Sequence, residues 1–145
     1  MALRVVSIPH GGPAWREAVA LRHELLRKPL GLAFAEEQLR RECEALHYAV
    51  YDGDAIVATA FLQPLDAERV QLRQMAVAPA RQTQGIGRLL LGHMEEDARR
   101  RGYRQVVAEA RVSALGFYLK LGYEAEGDVY DHLGLPHRWV RKNLI

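Results

Sequence analysis

Gln82-Thr83-Gln84-Gly85-Ile86-Gly87-Arg88 decides how this chain is read, because it joins an apolar strand to an amphipathic helix. Upstream, Leu72-Arg73-Gln74-Met75-Ala76-Val77 reads as a strand, and Pro79, which has no N–H to extend a ladder, closes it. Downstream, Leu90, Met94 and Ala98 form the apolar stripe of a helix, and Gly102 stands where that helix should stop. A strand, a glycine-bearing turn and a helix start make an anion site. The N–H groups of the turn and the positive end of the helix dipole converge, and glycine lets a phosphate come close to the backbone. No Lys-Ser or Lys-Thr pair follows the glycines, so this is not the loop of ATPases and GTPases. Leu90 occupies the place of the third glycine that a dinucleotide fingerprint needs. The remaining alternatives are a turn that cradles some other phosphorylated ligand, and a plain strand-to-helix turn whose glycines serve packing.

The other elements follow from periodicity and breakers. Leu3 to Val6 reads as a strand, Trp15 to Arg27 and Ala35 to Ala45 as helices, and Tyr48 to Tyr51 with Ala55 to Leu62 as a hairpin about Asp52-Gly53-Asp54. Arg104 to Arg111 alternates as a strand, which puts Val107, Glu109 and Arg111 on one face. Two last strands, Glu124 to Tyr130 and Arg138 to Leu144, flank Gly134-Leu135-Pro136-His137. The expected order is β-α-α-β-β-β-α-β-α-β-β in a single domain, residues 1–145, of mixed α/β class.

Composition narrows the function. With 49% hydrophobic and 26% charged residues the chain has an ordinary soluble composition. It has no apolar run of bilayer length and no signal peptide at its start, so a cytoplasmic location and no membrane partner are expected. A net charge of +2 is too small to point to nucleic acid. Arg99-Arg100-Arg101 falls in the last turn of a helix, where cations offset the dipole, and no aromatic residues interleave with it. Cys43, the single cysteine, lies on the stripe Leu39, Cys43, Leu46 and is expected to be a buried structural thiol.

A second motif is Ser113-Ala114-Leu115-Gly116-Phe117-Tyr118-Leu119-Lys120-Leu121-Gly122-Tyr123, in which Ser113 can cap a short helix and Gly122 can end it. Phe117 and Leu121 share a face, with Tyr118 turned away from them. The spacing Gln82-x-x-Gly85-x-Gly87 resembles the acyl-CoA loop of the GNAT superfamily of N-acetyltransferases, and this second stretch resembles that family's other signature. Arg22-His23-Glu24, Tyr51-Asp52-Gly53 and Gly134-Leu135-Pro136-His137 together are similar to small bacterial members, so the resemblance covers nearly the whole chain.

The resemblance implies the GNAT fold and transfer of an acetyl group from acetyl-CoA, or another short acyl-CoA, to a primary amine of a small molecule. A non-catalytic acyl-CoA-binding module is the alternative. By the same resemblance the pantetheine arm enters beside Met75, Ala76 and Val77, and the diphosphate sits on the turn formed by Gln82, Gln84, Gly85, Ile86, Gly87 and Arg88, close to Phe117. Arg81 is a further nearby cation, or simply a solvent-facing one. Tyr118 takes the role of proton donor to the leaving thiolate, against the plainer reading of an aromatic that packs its ring. Related proteins often carry a glutamate at about the position of Arg73, and here Arg73 and Gln74 offer no base. Glu109 is the first substitute and His137 the second, against a Glu109–Arg111 surface pair and a loop histidine. His132 and His137 lack a carboxylate cluster at ligand spacing, so no metal is expected. A homodimer fits the family.

Overall fold

The computed structural model describes residues 3–82 and 84–144. A mixed sheet runs β1 (Leu3–Ile8), β2 (Leu46–Asp52), β3 (Ala55–Pro64), β4 (Arg69–Val77), β5 (Gln105–Arg111), β7 (Leu135–Asn143) and β6 (Glu124–His132), in that spatial order. Four α-helices accompany it: α1 (Pro13–Arg22), α2 (Glu36–Arg41), α3 (Ile86–Arg100) and α4 (Leu115–Lys120) among the described residues. Element order and class are those expected. All neighbouring strands are antiparallel except β4 and β5, which run parallel because α3 crosses over between them.

Strand alternation gives the sheet two apolar faces. Tyr48, Val50, Leu72, Val106, Ala108 and Ala110 join Leu90, Leu91, Met94 and Ala98 of α3 in the main core. Ala49, one residue out of phase with Tyr48 and Val50, packs instead with Ile8 and Ala18 of α1. Helices therefore cover both faces, α3 and α4 on one and α1 on the other. The α3 stripe is as predicted, and Gly102, at φ +94°, ends the helix while Tyr103 N–H returns to the Ala98 carbonyl at 3.0 Å. Truncating Met94, fully buried, would cost about 2–5 kcal/mol.

Several local expectations change. The first helix is not regular to Arg27: after Arg22 the chain widens into a π-helical turn, His23–Arg27, then tightens through Lys28–Leu30 to Gly31 at φ +69°. The second helix stops at Arg41 and tightens into a 3-10 turn, Glu42–Glu44. That tightening rotates Glu42 inward, and Cys43, expected to be buried, is exposed. Ser113 does not cap α4; it lies inside a 3-10 turn, Val112–Ala114, that leads into the helix at Leu115. The last strand begins at Leu135, three residues early. Leu133 and Gly134, at φ +55° and +78°, form a two-residue turn, so Pro136 and His137 belong to β7. No helix among the described residues is long and apolar enough to cross a membrane.

Candidate active site

The site begins where the sheet fails to pair. β4 and β5 are registered from Arg69↔Gln105 to Leu72↔Ala108; beyond that, β4 continues to Val77 and β5 to Arg111 without pairing each other. The cause lies in β4. Gln74 adopts φ +56°, which side chains rarely tolerate, and the register with β3 slips between Phe61↔Arg73 and Thr59↔Ala76. This bulge bends the strand away, leaving Ala76 and Val77 paired to β3 on one edge and the Met75–Val77 stretch facing the gap on the other. It also resets the alternation: Arg73 and Ala76 share the α1 face, while Met75 and Val77 pack toward the α3 core.

The glycine turn closes the wide end of this gap. Pro79–Arg81 forms a 3-10 turn, and Gln82 Nε2 donates to the Val77 carbonyl at 3.1 Å, tying the turn to the strand it leaves. Gly85 caps α3 at φ +73°, and a Cβ there would meet nothing within 4 Å, so the space above its backbone is open. The first-turn N–H groups that follow, from Ile86 onward, have no carbonyl within the helix. Ile86 itself is fully buried, so only its backbone faces the turn, whereas Gln84 and Arg88 are exposed. Gly87 has a different duty. A Cβ would stand 3.3 Å from Phe117 Cζ, so its bare backbone makes room for that ring. Arg81 pairs with Asp52 at 2.7 Å. Thr83 lies outside the described residues.

Tyr118 follows Phe117 on α4 and is 8% exposed, with ring contacts to Phe117 and Tyr123. Burial pushes its phenol up to about 12, so it stays protonated at neutral pH.

On the α1 face a chain of polar side chains crosses the splayed strands. Arg73 Nη2 donates to Gln71 Oε1 at 2.7 Å, Gln71 Nε2 reaches Glu109 Oε1 at 3.5 Å, and Tyr130 O–H donates to Glu109 Oε2 at 2.6 Å. Burial, and then the bond to the Glu109 carboxylate, raise the Tyr130 pKa. Glu109 thus turns to Tyr130, on the face alternation predicted. His137 is registered with both Arg111 and Tyr130, and is 6% exposed. Its Nδ1 lies 2.9 Å from the Leu135 carbonyl, which can only accept, so Nδ1 holds the hydrogen and Nε2 keeps a lone pair in the neutral ring. Sequence reasoning missed Gln71 and Tyr130. Gln71 could have been found by continuing the β4 alternation; Tyr130 needed the β6–β7 register.

Behind the π-helical turn, Arg22 and Glu42 form a buried bidentate pair at 2.9 Å in both contacts, with side chains 2% and 5% exposed. The Arg22 guanidinium also lies over Phe34 and Phe61.

A sheet opened between two parallel strands, ending on a glycine turn at a helix start, defines the acyl-CoA transferase class of α/β folds. Residues 14–123 match the model of the Acetyltransferase (GNAT) family, and the chain belongs to that family as an N-acetyltransferase. A Bacillus subtilis protein described as uncharacterized N-acetyltransferase YjcF is 27% identical over 130 residues, covering 88% of this chain and 91% of that protein. The probable N-acetyltransferase 14 of Xenopus tropicalis is 34% identical over 83 residues; they cover 54% of this chain but 40% of that longer protein. Among solved structures, an aminoglycoside 6'-N-acetyltransferase complexed with coenzyme A superposes with a TM-score of 0.82 at 17% identity, over 98% of this chain and 97% of that one.

Proposed function

We propose that this protein transfers the acetyl group of acetyl-CoA to a primary amine of a small molecule by direct attack. The observation that carries this reading is the β4–β5 splay, whose open strand edge leads to the Gly85 turn. The residues fit the cosubstrate. Main-chain groups of Met75 to Val77 are available to an extended pantetheine arm, and the open backbone at Gly85 suits a diphosphate. Binding of coenzyme A by the aminoglycoside acetyltransferase of like fold supports the same use here. Acetyl-CoA supplies an activated thioester; the chain's own groups align the amine and handle protons.

Tyr118 is the donor to the leaving sulfur. At about 12 its phenol is a weak acid toward a thiolate of ordinary pKa ~8.5, so its contribution is a hydrogen bond that strengthens as charge develops. Glu109, held by Tyr130, receives the amine's proton through water. His137 is the second reading, favoured by the Leu135 bond that leaves Nε2 able to accept.

Acetyl-CoA incubated with an amine panel and a thiol-reactive dye tests the proposal. Amine-dependent thiol release is expected; CoA binding without release from any amine would point to a non-catalytic binding module. Gly85→Glu, which fills the open space with a carboxylate, should abolish CoA binding by calorimetry in a folded protein.

A further inference from the structure

The face where the acceptor would approach holds more positive charge than its local structure uses. Arg27 closes the π-helical turn, which packs on β4, and its guanidinium carbon lies 4.6 Å from the centre of the Phe34 ring. Arg22 lies at the same distance from that ring, so Phe34 holds two cations. The charge of Arg22 is met by Glu42, yet neither Arg27 nor Arg111 has a carboxylate within ion-pair distance among the described residues. Arg111 ends β5 at the open end of the splay, two residues beyond Glu109 on the same face. Both arginines are only half-buried. The Phe34 ring that Arg27 shares with Arg22 sits on the sheet face of Phe61, over which Arg22 also lies, and Arg111 extends from that same face. Burial first, and then the Arg22 and Arg111 charges, lower the Arg27 pKa, with Glu42 opposing them. Two half-buried guanidiniums on one face, neither paired with a carboxylate among the described residues, gain from an anion between them, and their planar forks suit a carboxylate.

We infer that the acceptor is an amine that also bears a carboxylate, held by Arg27 and Arg111. The inference rests on the proposed function, since it places the carboxylate on the acceptor side of the same cleft. Phe34 keeps the Arg27 fork in one plane and so presents it pre-oriented. The arrangement has a chemical benefit as well. A positive field lowers the pKa of a bound ammonium, which eases loss of the proton where Arg73 stands in place of a base.

The test compares amino acids with their own amides as acceptors at fixed acetyl-CoA. The expected result is kcat/KM about 10- to 100-fold higher for the free carboxylates, the range of a charge-assisted hydrogen-bonded contact. Arg111→Gln and Arg27→Gln should erase that preference chiefly through KM, and Arg27→Lys should restore part of it. Binding of an N-acetylated amino acid, against its amide, to the CoA-loaded protein gives the same comparison without catalysis. CoA affinity serves as the control for folding. Equal or better use of the amides, or a preference that survives the double glutamine variant, overturns the inference and leaves the transferase reading standing. A preference for amines bearing phosphate overturns the carboxylate assignment. Carboxylate-selective binding that needs Arg27 and Arg111 but leads to transfer to no amine upholds the carboxylate site, and overturns both the transferase reading and the assignment of the bound molecule as acceptor.

Discussion

Glu42→Gln isolates one buried charge. The substitution keeps shape and volume, but leaves the Arg22 guanidinium, 1% exposed, with no opposing charge and with its Nε already unpartnered. Both hydrogen bonds of the pair are 2.9 Å, and Phe34 and Phe61 exclude solvent from the cation. Removing one partner of such a pair costs about 3–5 kcal/mol, because the survivor's desolvation goes uncompensated. With an unfolding entropy of about 2.1 cal/mol/K per residue, a chain of 145 residues loses about 3 °C per kcal/mol, so Tm should fall by about 10–15 °C. Urea titration followed by circular dichroism measures the loss directly. The double variant Arg22→Met/Glu42→Leu should recover most of it, since apolar isosteres carry no desolvation cost. A Glu42→Gln loss below about 1 kcal/mol with unchanged m would refute the reasoning and mean that water reaches Arg22.

Other outcomes follow from single contacts. Gly87→Ala should leave stability within about 1 kcal/mol, helix propensity offsetting the contact, yet weaken CoA binding by calorimetry because the new methyl displaces the Phe117 ring 3.3 Å away. Tyr118→Phe should lower the transfer rate by roughly 10²-fold with little change in acetyl-CoA affinity; wild-type turnover would make the residue structural. With one amine, Glu109→Gln should remove the acidic limb of the pH–rate profile and His137→Asn should not; the opposite pattern reassigns the base. Burial lowers the His47 pKa, against a weaker opposing bond to the Glu42 carbonyl, so protonation favours the unfolded chain. Stability should therefore decline as pH falls below about 6.5, by at most ~1.4 kcal/mol per pH unit from this group, and His47→Gln should flatten that slope in urea titrations.

Local physics made most of the fold readable. Leu90, Met94 and Ala98 repeat with the helical period, Gly102 and Gly122 end helices at positive φ, and Asp52-Gly53-Asp54 sits at a hairpin. The errors arose where one residue per turn more or fewer decides orientation. Cys43 and Glu42 exchange burial because a 3-10 turn replaces the last helical turn, and periodicity cannot see that change. A similar blindness hid Arg22, which continues the α1 stripe through Ala18 but would be assigned to solvent on chemistry alone; its partner lies 20 residues away. At the site, Glu109 was placed on its face by alternation, whereas its partner Tyr130 depended on the pairing of β6 with β7 beyond a bulge. Gly87 was legible as a necessary glycine, but Phe117, the reason for it, comes from a distant helix.

The unfinished ladder between β4 and β5 has a mechanical consequence. The sheet consists of two plates, β1 to β4 and β5 to β7, joined by four residue pairs at one end and free at the other. An exposed strand edge invites pairing with any passing chain, and proteins ordinarily hide or charge it. Here the open edges face each other inside the molecule, where another polypeptide strand cannot lie down but a narrow, extended guest can. Such a guest acts as a missing rung. Amide protons of Met75 to Val77 that point into the gap rather than at β3 should exchange freely while the plates stand apart and slow when the guest is in place, so that occupancy and rigidity rise together.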